Sequence, residues 1–260
     1  MEIIDSKPAK PLHDTPIVVA LGWLEASRTY EPLVHKLNSH GYRVIIPDAQ
    51  VGEILLPDIK ANYPEIELQK ASALIAALDK AGVKRADVLA HSEGALFALI
   101  AADLYPMRIN SVLLINPACI VPASIWQLIR GFCKEALITL GLVVREVFSF
   151  GGEKKVVSHT ALAWHMACVF FAHPLVSFRS VRAMAKSNAL WLVPHVRARG
   201  VKVAVVLAQW DHLFPLAQNR AALKKVEVDV LHVMDDHHLS FLFDAHGYGA
   251  LIDRMLKKMI

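Results

Sequence analysis

The stretch Val88-Leu89-Ala90-His91-Ser92-Glu93-Gly94-Ala95-Leu96 decides the reading of this chain. Asp87 to Ala90 is a short apolar run of the kind that forms a buried strand. Glu93 to Leu104 is apolar on all sides and reads as a buried helix. One serine lies between them, with the small residues Ala90 and Gly94 two positions to either side. A change from strand to helix over so few residues forces the serine backbone toward strain, and larger neighbours would collide. Such a turn lifts the hydroxyl out at the carboxyl end of a sheet. It also sets the hydroxyl at a helix N-terminus, where free N–H groups favour negative charge. Serine is equally a favoured helix N-cap, a role that needs no chemistry.

Outward from this segment, strand and helix alternate. Ile17 to Leu21 is an apolar strand closed by Gly22. Tyr30 to His40 is a helix stopped by Gly41, and Tyr42 to Pro47 is a second strand. Glu65 to Ala81 is amphipathic, with Ile66, Leu74, Ile75 and Leu78 on one side. Ser111 to Ile115 is a further strand, ending at Asn116-Pro117. The rhythm then stops. From about Cys119 to His195 no strand is legible, and apolar residues recur at helical spacing. Alternation resumes with a strand at Val203 to Leu207, a helix at Leu216 to Lys225, a strand at Val228 to Val233 and a helix at Gly249 to Met259. The pattern implies an α/β fold, a mostly parallel, doubly wound sheet with helices on both faces and an inserted helical block. Residues 1–118 and 196–260 are expected to form the core, and 119–195 the insertion.

Composition excludes other classes. Of 260 residues, 55% are hydrophobic and 20% charged, which is neither a disordered tail nor a collagen-like polymer. The net charge of +4 is scattered. Its densest group, Arg254, Lys257 and Lys258, suits a solvated helix face better than a nucleic-acid stripe. Cys119, Cys133 and Cys168 are odd in number and lie in apolar stretches. They read as small core residues in a reducing compartment, not as a disulfide framework. Residues 1–16 hold charges and prolines without an apolar signal core, and the apolar run 136–144 is too short to span a bilayer. The expectation is a cytoplasmic protein without a transmembrane segment.

The serine segment resembles the nucleophile elbow of the α/β-hydrolases, small-x-Ser-x-Gly, with Ala90 where the first glycine usually stands. The resemblance implies the chain order serine, acid, histidine. Ser92 is then the nucleophile. Asp211, in Gln209-Trp210-Asp211-His212-Leu213-Phe214-Pro215, looks like the family's acid turn. Asn116 cannot supply an anion at the rival position. Two histidines compete for the base in Met234-Asp235-Asp236-His237-His238-Leu239-Ser240-Phe241. Adjacent side chains point apart, and the family's habit of an apolar residue after the histidine favours His238 over His237. The resemblance also implies an oxyanion hole from the backbone N–H groups of Trp23 and Glu93, with Gly22 allowing close approach. It requires no cofactor and no metal, and Asp235 and Asp236 are assigned to the loop.

The same resemblance makes residues 119–195 a cap, or lid, over the site. An apolar cap suggests a small apolar ester as substrate. An acyltransferase or perhydrolase would use the same triad, and a non-catalytic binding protein for an apolar ligand would keep the fold. Departures from the family are a missing first hairpin and Ala49-Gln50-Val51-Gly52-Glu53 in place of a Gly-x-Gly-x-Ser loop. Some residues carry two readings. Glu93 either repels anionic substrates or is a favourable charge at a helix start. Trp126, Trp164 and Phe170 are expected to pack within the insertion, with a substrate wall as the alternative. His165 and His173 are expected to be satisfied core histidines. The apolar block could also form a homodimer contact or a membrane-surface patch.

Overall fold

The computed structural model describes residues 2–48, 63–118, 120–148 and 159–259. Its strands are β1 (Glu2–Ser6), β2 (Ile17–Ala20), β3 (Val44–Asp48), β4 (Ala86–His91), β5 (Ile109–Ile115), β6 (Lys202–Ala208) and β7 (Val230–Met234). They form one sheet in the order β1-β3-β2-β4-β5-β6-β7. All neighbours are parallel except β1 and β3. Strand side chains alternate between faces, and here both faces are apolar. Val18, Val88, Ala90, Val203 and Val205 enter one core, while Ile17, Val19, Leu89, Ala204 and Val206 enter the other. A strand of this kind needs cover on both sides, which explains the helical layers.

The helices are α1 (Glu31–Ser39), α2 (Glu65–Lys80), α3 (Gly94–Leu104), α4 (Ile125–Phe148), α5 (His159–Ala172), α6 (Pro174–Lys186), α7 (Leu192–Ala198), α8 (Leu216–Leu223) and α9 (Ala245–Met259). Helices α1 and α9 cover one face, with Leu33, Leu37, Leu251 and Ile252. Helices α2, α3, α7 and α8 cover the other, with Leu74, Leu78, Leu99 and Leu192. Helix α7 packs on α3 and β6, whereas α4, α5 and α6 pack on one another, and α6 also touches α2. Among the described residues no single helix is long and apolar enough to cross a membrane.

Three expectations are corrected. The chain does not begin its sheet at Ile17. β1 pairs antiparallel with β3 along Glu2↔Asp48 to Ser6↔Val44, so an edge strand precedes it. Five residues with a mostly exposed face carry too weak an alternation to be legible, and the Arg43 guanidinium grips Asp5 at 2.7 and 2.8 Å to hold them. Cys133 and Cys168 are exposed rather than core residues. Trp126 and Trp164 are likewise 72% and 73% exposed. Three helices in a single layer have more apolar side chains than they can bury. Cys119 and the loop at 49–53 lie outside the described residues.

The junction of β4 and α3 sets a tight packing constraint against backbone. A Cβ on Gly94 would stand 2.2 Å from the carbonyl oxygen of Ala20 and 3.0 Å from that of Leu21. The start of α3 thus lies directly against the end of β2. Gly94→Ala is expected to destabilise the protein by about 1–3 kcal/mol through overpacking. The check is a urea titration, in which the midpoint falls while the slope stays constant. An unchanged midpoint would contradict this close approach.

Candidate active site

Ser92 follows β4 directly and has φ of +50°, a left-handed conformation that a residue with a Cβ adopts at a cost. Hydrogen bonds on both sides enforce it. The Ser92 N–H donates to Ile115 O at 3.0 Å, and the Ser92 carbonyl accepts from Ala95 N at 3.1 Å and Ala118 N at 2.9 Å. The side chain emerges at the carboxyl edge of the sheet.

Asp211 lies in the loop after β6 and is buried. Its Oδ1 accepts from the backbone N–H groups of Leu213 and Phe214, both at 2.8 Å, which fix the carboxylate plane. Its Oδ2 lies 2.7 Å from His238 Nδ1, and His238 Nε2 lies 3.0 Å from Ser92 Oγ. A carboxylate at Nδ1 holds the proton there and leaves the Nε2 lone pair facing the hydroxyl. Burial pushes the His238 pKa down, but the charge and hydrogen bond of Asp211, with Glu135 and Glu25 behind them, outweigh this and leave it raised.

His237 does not share in this arrangement. Its N–H lies 3.2 Å from both Asp236 Oδ1 and Ser240 Oγ, and its ring neighbours His212. Asp235 accepts from Trp210 Nε1 at 2.8 Å, so the acidic pair stays in the loop.

The N–H groups of Trp23 and Glu93 occupy adjacent turns, because β2 and β4 are neighbours in the sheet. Among the described residues neither donates to a backbone acceptor. The Glu93 carboxylate is paired with a cation beside the second cavity. It is buried and lies 2.6 Å from Lys70 Nζ. Lys70 also approaches Glu67 at 3.9 Å and donates to Ser180 Oγ on α6 at 3.2 Å. Burial and the neighbouring Glu93 push Glu67 up to about 8 against the pull of Lys70.

A second buried chain braces the histidine. The His238 carbonyl accepts from Asn116 Nδ2 at 2.9 Å and faces His91 Nε2 at 3.2 Å. His91 Nδ1 lies 2.5 Å from Glu25 Oε1. Glu25 Oε2 accepts from Tyr30 Oη and Gly22 N, each at 2.5 Å. Burial alone would raise the Glu25 carboxyl, yet His91, Tyr30 and Gly22 together hold it below its ordinary value.

Two cavities meet at Trp23. One, of about 730 Å³, is lined by Ser92 and His238 together with Phe132, Leu140, Trp164 and Phe170. Phe170 and Trp164 thus form a wall of this cavity. The other, of about 370 Å³, has Lys70, Glu93, Ser177 and Ser180 among an otherwise largely apolar lining. His165 and His173 border this second cavity and are not core histidines, because one layer of helices leaves them accessible from outside.

The sequence model of the alpha/beta hydrolase family matches residues 13–253. The chain belongs to the α/β-hydrolase family. No curated protein matches it in sequence. Among solved structures, it is similar to a hydrolase from Pseudomonas aeruginosa PA01, with a TM-score of 0.70 and 14% identity over 98% of this chain and 93% of that one. It is also similar to the esterase EaEST from Exiguobacterium antarcticum, with a TM-score of 0.70 and 16% identity over 98% and 94%. The enol-lactonase from Burkholderia xenovorans LB400 gives a TM-score of 0.66 and 17% identity over 98% and 96%. At such identities the likeness shows the fold of this α/β-hydrolase and nothing finer.

Ser92, Asp211 and His238 come together in it, while sequence reasoning missed Glu25, His91, the grip of Asn116 on the His238 carbonyl and the Glu67–Lys70 pair that meets Glu93. The signal for the cluster was a glutamate and a lysine three apart on a helix face otherwise built of Leu68, Ala71 and Leu74. The raised Glu67 gives a stability prediction. Its folded value of about 8 exceeds the unfolded 4.5, so its contribution is complete below pH 4.5 and is lost as pH rises through about 8. Glu67→Gln is expected to melt a few degrees above the wild type at pH 9, with that advantage shrinking toward pH 5. Thermal melts across pH check this, and parallel curves for the two proteins would refute it.

Proposed function

We propose that this α/β-hydrolase is a serine hydrolase that cleaves an ester-like carbonyl bond of a small apolar substrate. The observation that carries the reading is the hydrogen-bonded line Asp211–His238–Ser92, at 2.7 and 3.0 Å, opening on an apolar cavity. Ser92 Oγ attacks the carbonyl carbon as its proton passes to His238 Nε2. The carbonyl oxygen becomes an oxyanion held by the N–H groups of Trp23 and Glu93, where loss of one such donor costs about 3 kcal/mol of transition-state stabilisation. His238 returns its proton to the departing alkoxide, which leaves as the alcohol. The acyl group stays on Ser92. A water then gives its proton to His238, attacks the acyl carbon and releases the carboxylic acid, and the proton returns to Ser92. Asp211 holds the ring tautomer and stabilises the imidazolium in both halves. In this reading α4–α6 form the cap that keeps water from the acyl pocket, which strengthens the electrostatics within.

Purified protein is expected to hydrolyse p-nitrophenyl esters and to be labelled by a fluorophosphonate. Ser92→Ala should abolish labelling, His238→Ala should lower kcat by about 10⁴-fold, and His237→Ala should leave it within a few-fold. Labelling that persists in Ser92→Ala overturns the assignment. The base must be neutral to work, and its raised pKa moves the acidic limb of kcat/KM above the ordinary imidazole value of 6.5. A pH–rate profile checks this, since an acidic limb centred below 6.5 contradicts it.

A further inference from the structure

Most of the exposed large apolar side chains among the described residues lie on the insertion. Trp126 on α4, Phe171 on α5 and Leu175 on α6 are 72%, 78% and 76% exposed. Helices α5 and α6 meet at a bend of 103°. Phe171 and Leu175 flank that bend, and Phe170 packs edge-on against Phe171 and Phe178 behind it. The corner is therefore a braced apolar wedge.

The exposed sides of α4 and α6 are also basic. Arg130 and Lys134 succeed Trp126 at four-residue steps, so all three lie on one stripe of α4. On α6 the stripe Leu175, Phe178, Arg179, Arg182, Lys186 starts apolar and ends cationic. All five cations are exposed, and residues 159–191 contain no aspartate or glutamate. Of the two glutamates on α4, Glu135 is buried and Glu146 adjoins Arg145 in the sequence. A second copy of the chain would bring this charge against itself, which disfavours a homodimer through this face. An apolar wedge rimmed by cations fits an anionic lipid bilayer, with the aromatic and leucine side chains below the headgroups and the guanidinium and ammonium groups at the phosphates.

The cavity that holds Ser92 is continuous with this face. Ile125, Ile129, Leu140, Trp164 and Phe178 line it, and each is also exposed. We propose that the α4–α6 insertion docks on anionic lipid membranes and that the enzyme draws a lipid-like ester from the bilayer into the Ser92 cavity. The ester half rests on the hydrolase reading, but the docking does not. The apolar chain of such a substrate would pass from bilayer to cavity without crossing water.

The test is co-sedimentation of the full chain with vesicles of phosphatidylcholine alone or mixed equally with phosphatidylglycerol. Binding is expected to the mixed vesicles, to weaken in high salt, and to be slight on phosphatidylcholine alone. Phe171→Ser with Leu175→Ser should lower the partition coefficient at least about tenfold, as should Arg179→Glu with Arg182→Glu. These four residues line neither cavity, so hydrolysis of soluble p-nitrophenyl acetate should stay unchanged in both variants. Absence of binding to the mixed vesicles overturns the proposal, as does binding that neither pair of substitutions alters. A dimer seen by light scattering that Phe171→Ser with Leu175→Ser dissolves also overturns it, and assigns the face to a second copy. Vesicle binding without ester hydrolysis keeps the docking and rejects the hydrolase reading.

Discussion

Reversing the chain from β4 into α3 within two residues is the constraint on which the remaining geometry depends. Ser92 stays at φ +50° because its N–H reaches β5 through Ile115, its carbonyl is held by Ala95 and Ala118, and Gly94 lies against Ala20 at the end of β2. Left-handed backbone at a residue with a side chain costs on the order of 1–3 kcal/mol and persists only where surroundings over-determine it. Leu24 and Asn116, at φ +61° and +45°, sit in the loops after β2 and β5. Three neighbouring strands thus end in strained residues along one edge of the sheet. The strain is concentrated where the parallel ladder is longest and both faces are covered, and there the backbone cannot relax without breaking strand register.

Side-chain placement follows from that edge. The acid comes from the loop after β6, the imidazole from the loop after β7 and the hydroxyl from the turn after β4. Their meeting requires that registers such as His91↔Ile115, Ile115↔Val206 and Ala208↔Met234 hold together. The β7 loop is the least covered of these contributors, because β7 is an edge strand with a half-exposed pattern. Asn116 and His91 compensate by gripping the His238 carbonyl from β5 and β4. Glu25 then ties His91 to the loop after β2, the loop that carries Trp23. The backbone groups around Ser92 and His238 therefore share one buried polar chain, which removes most of the freedom their loops would otherwise have.

Much of this was legible in the sequence because the determining features are local. Parallel strands buried on both faces are unbroken apolar runs, and helices such as Glu65–Lys80 end at glycine. The small flanks of Ser92 report a steric demand of one turn. What was illegible depends on distant partners. β1 is visible only once β3 is beside it. Glu25 reads as an ordinary loop glutamate until His91 and Tyr30 close around it. The choice between adjacent histidines rests on which side of the last loop faces the sheet edge. The exposure of Cys133, Trp126 and Trp164 depends on how many layers the insertion builds, and the periodicity of one helix does not encode that number.

The insertion also acts on the site electrostatically. Glu135 projects from α4 into the wall of the Ser92 cavity and is buried there. Burial raises its pKa, as does the nearby Asp211, while His238 and His212 oppose the shift. A carboxyl in such a place adds little to cavity polarity when protonated and strengthens the proton affinity of His238 when ionised. Its effect grows as water is excluded, since the same charges interact more strongly at low dielectric. The helix whose outer stripe bears Trp126, Arg130 and Lys134 therefore bears, on its inner side, a group that tunes the imidazole. Any displacement of α4 changes access to the cavity and the basicity of His238 together.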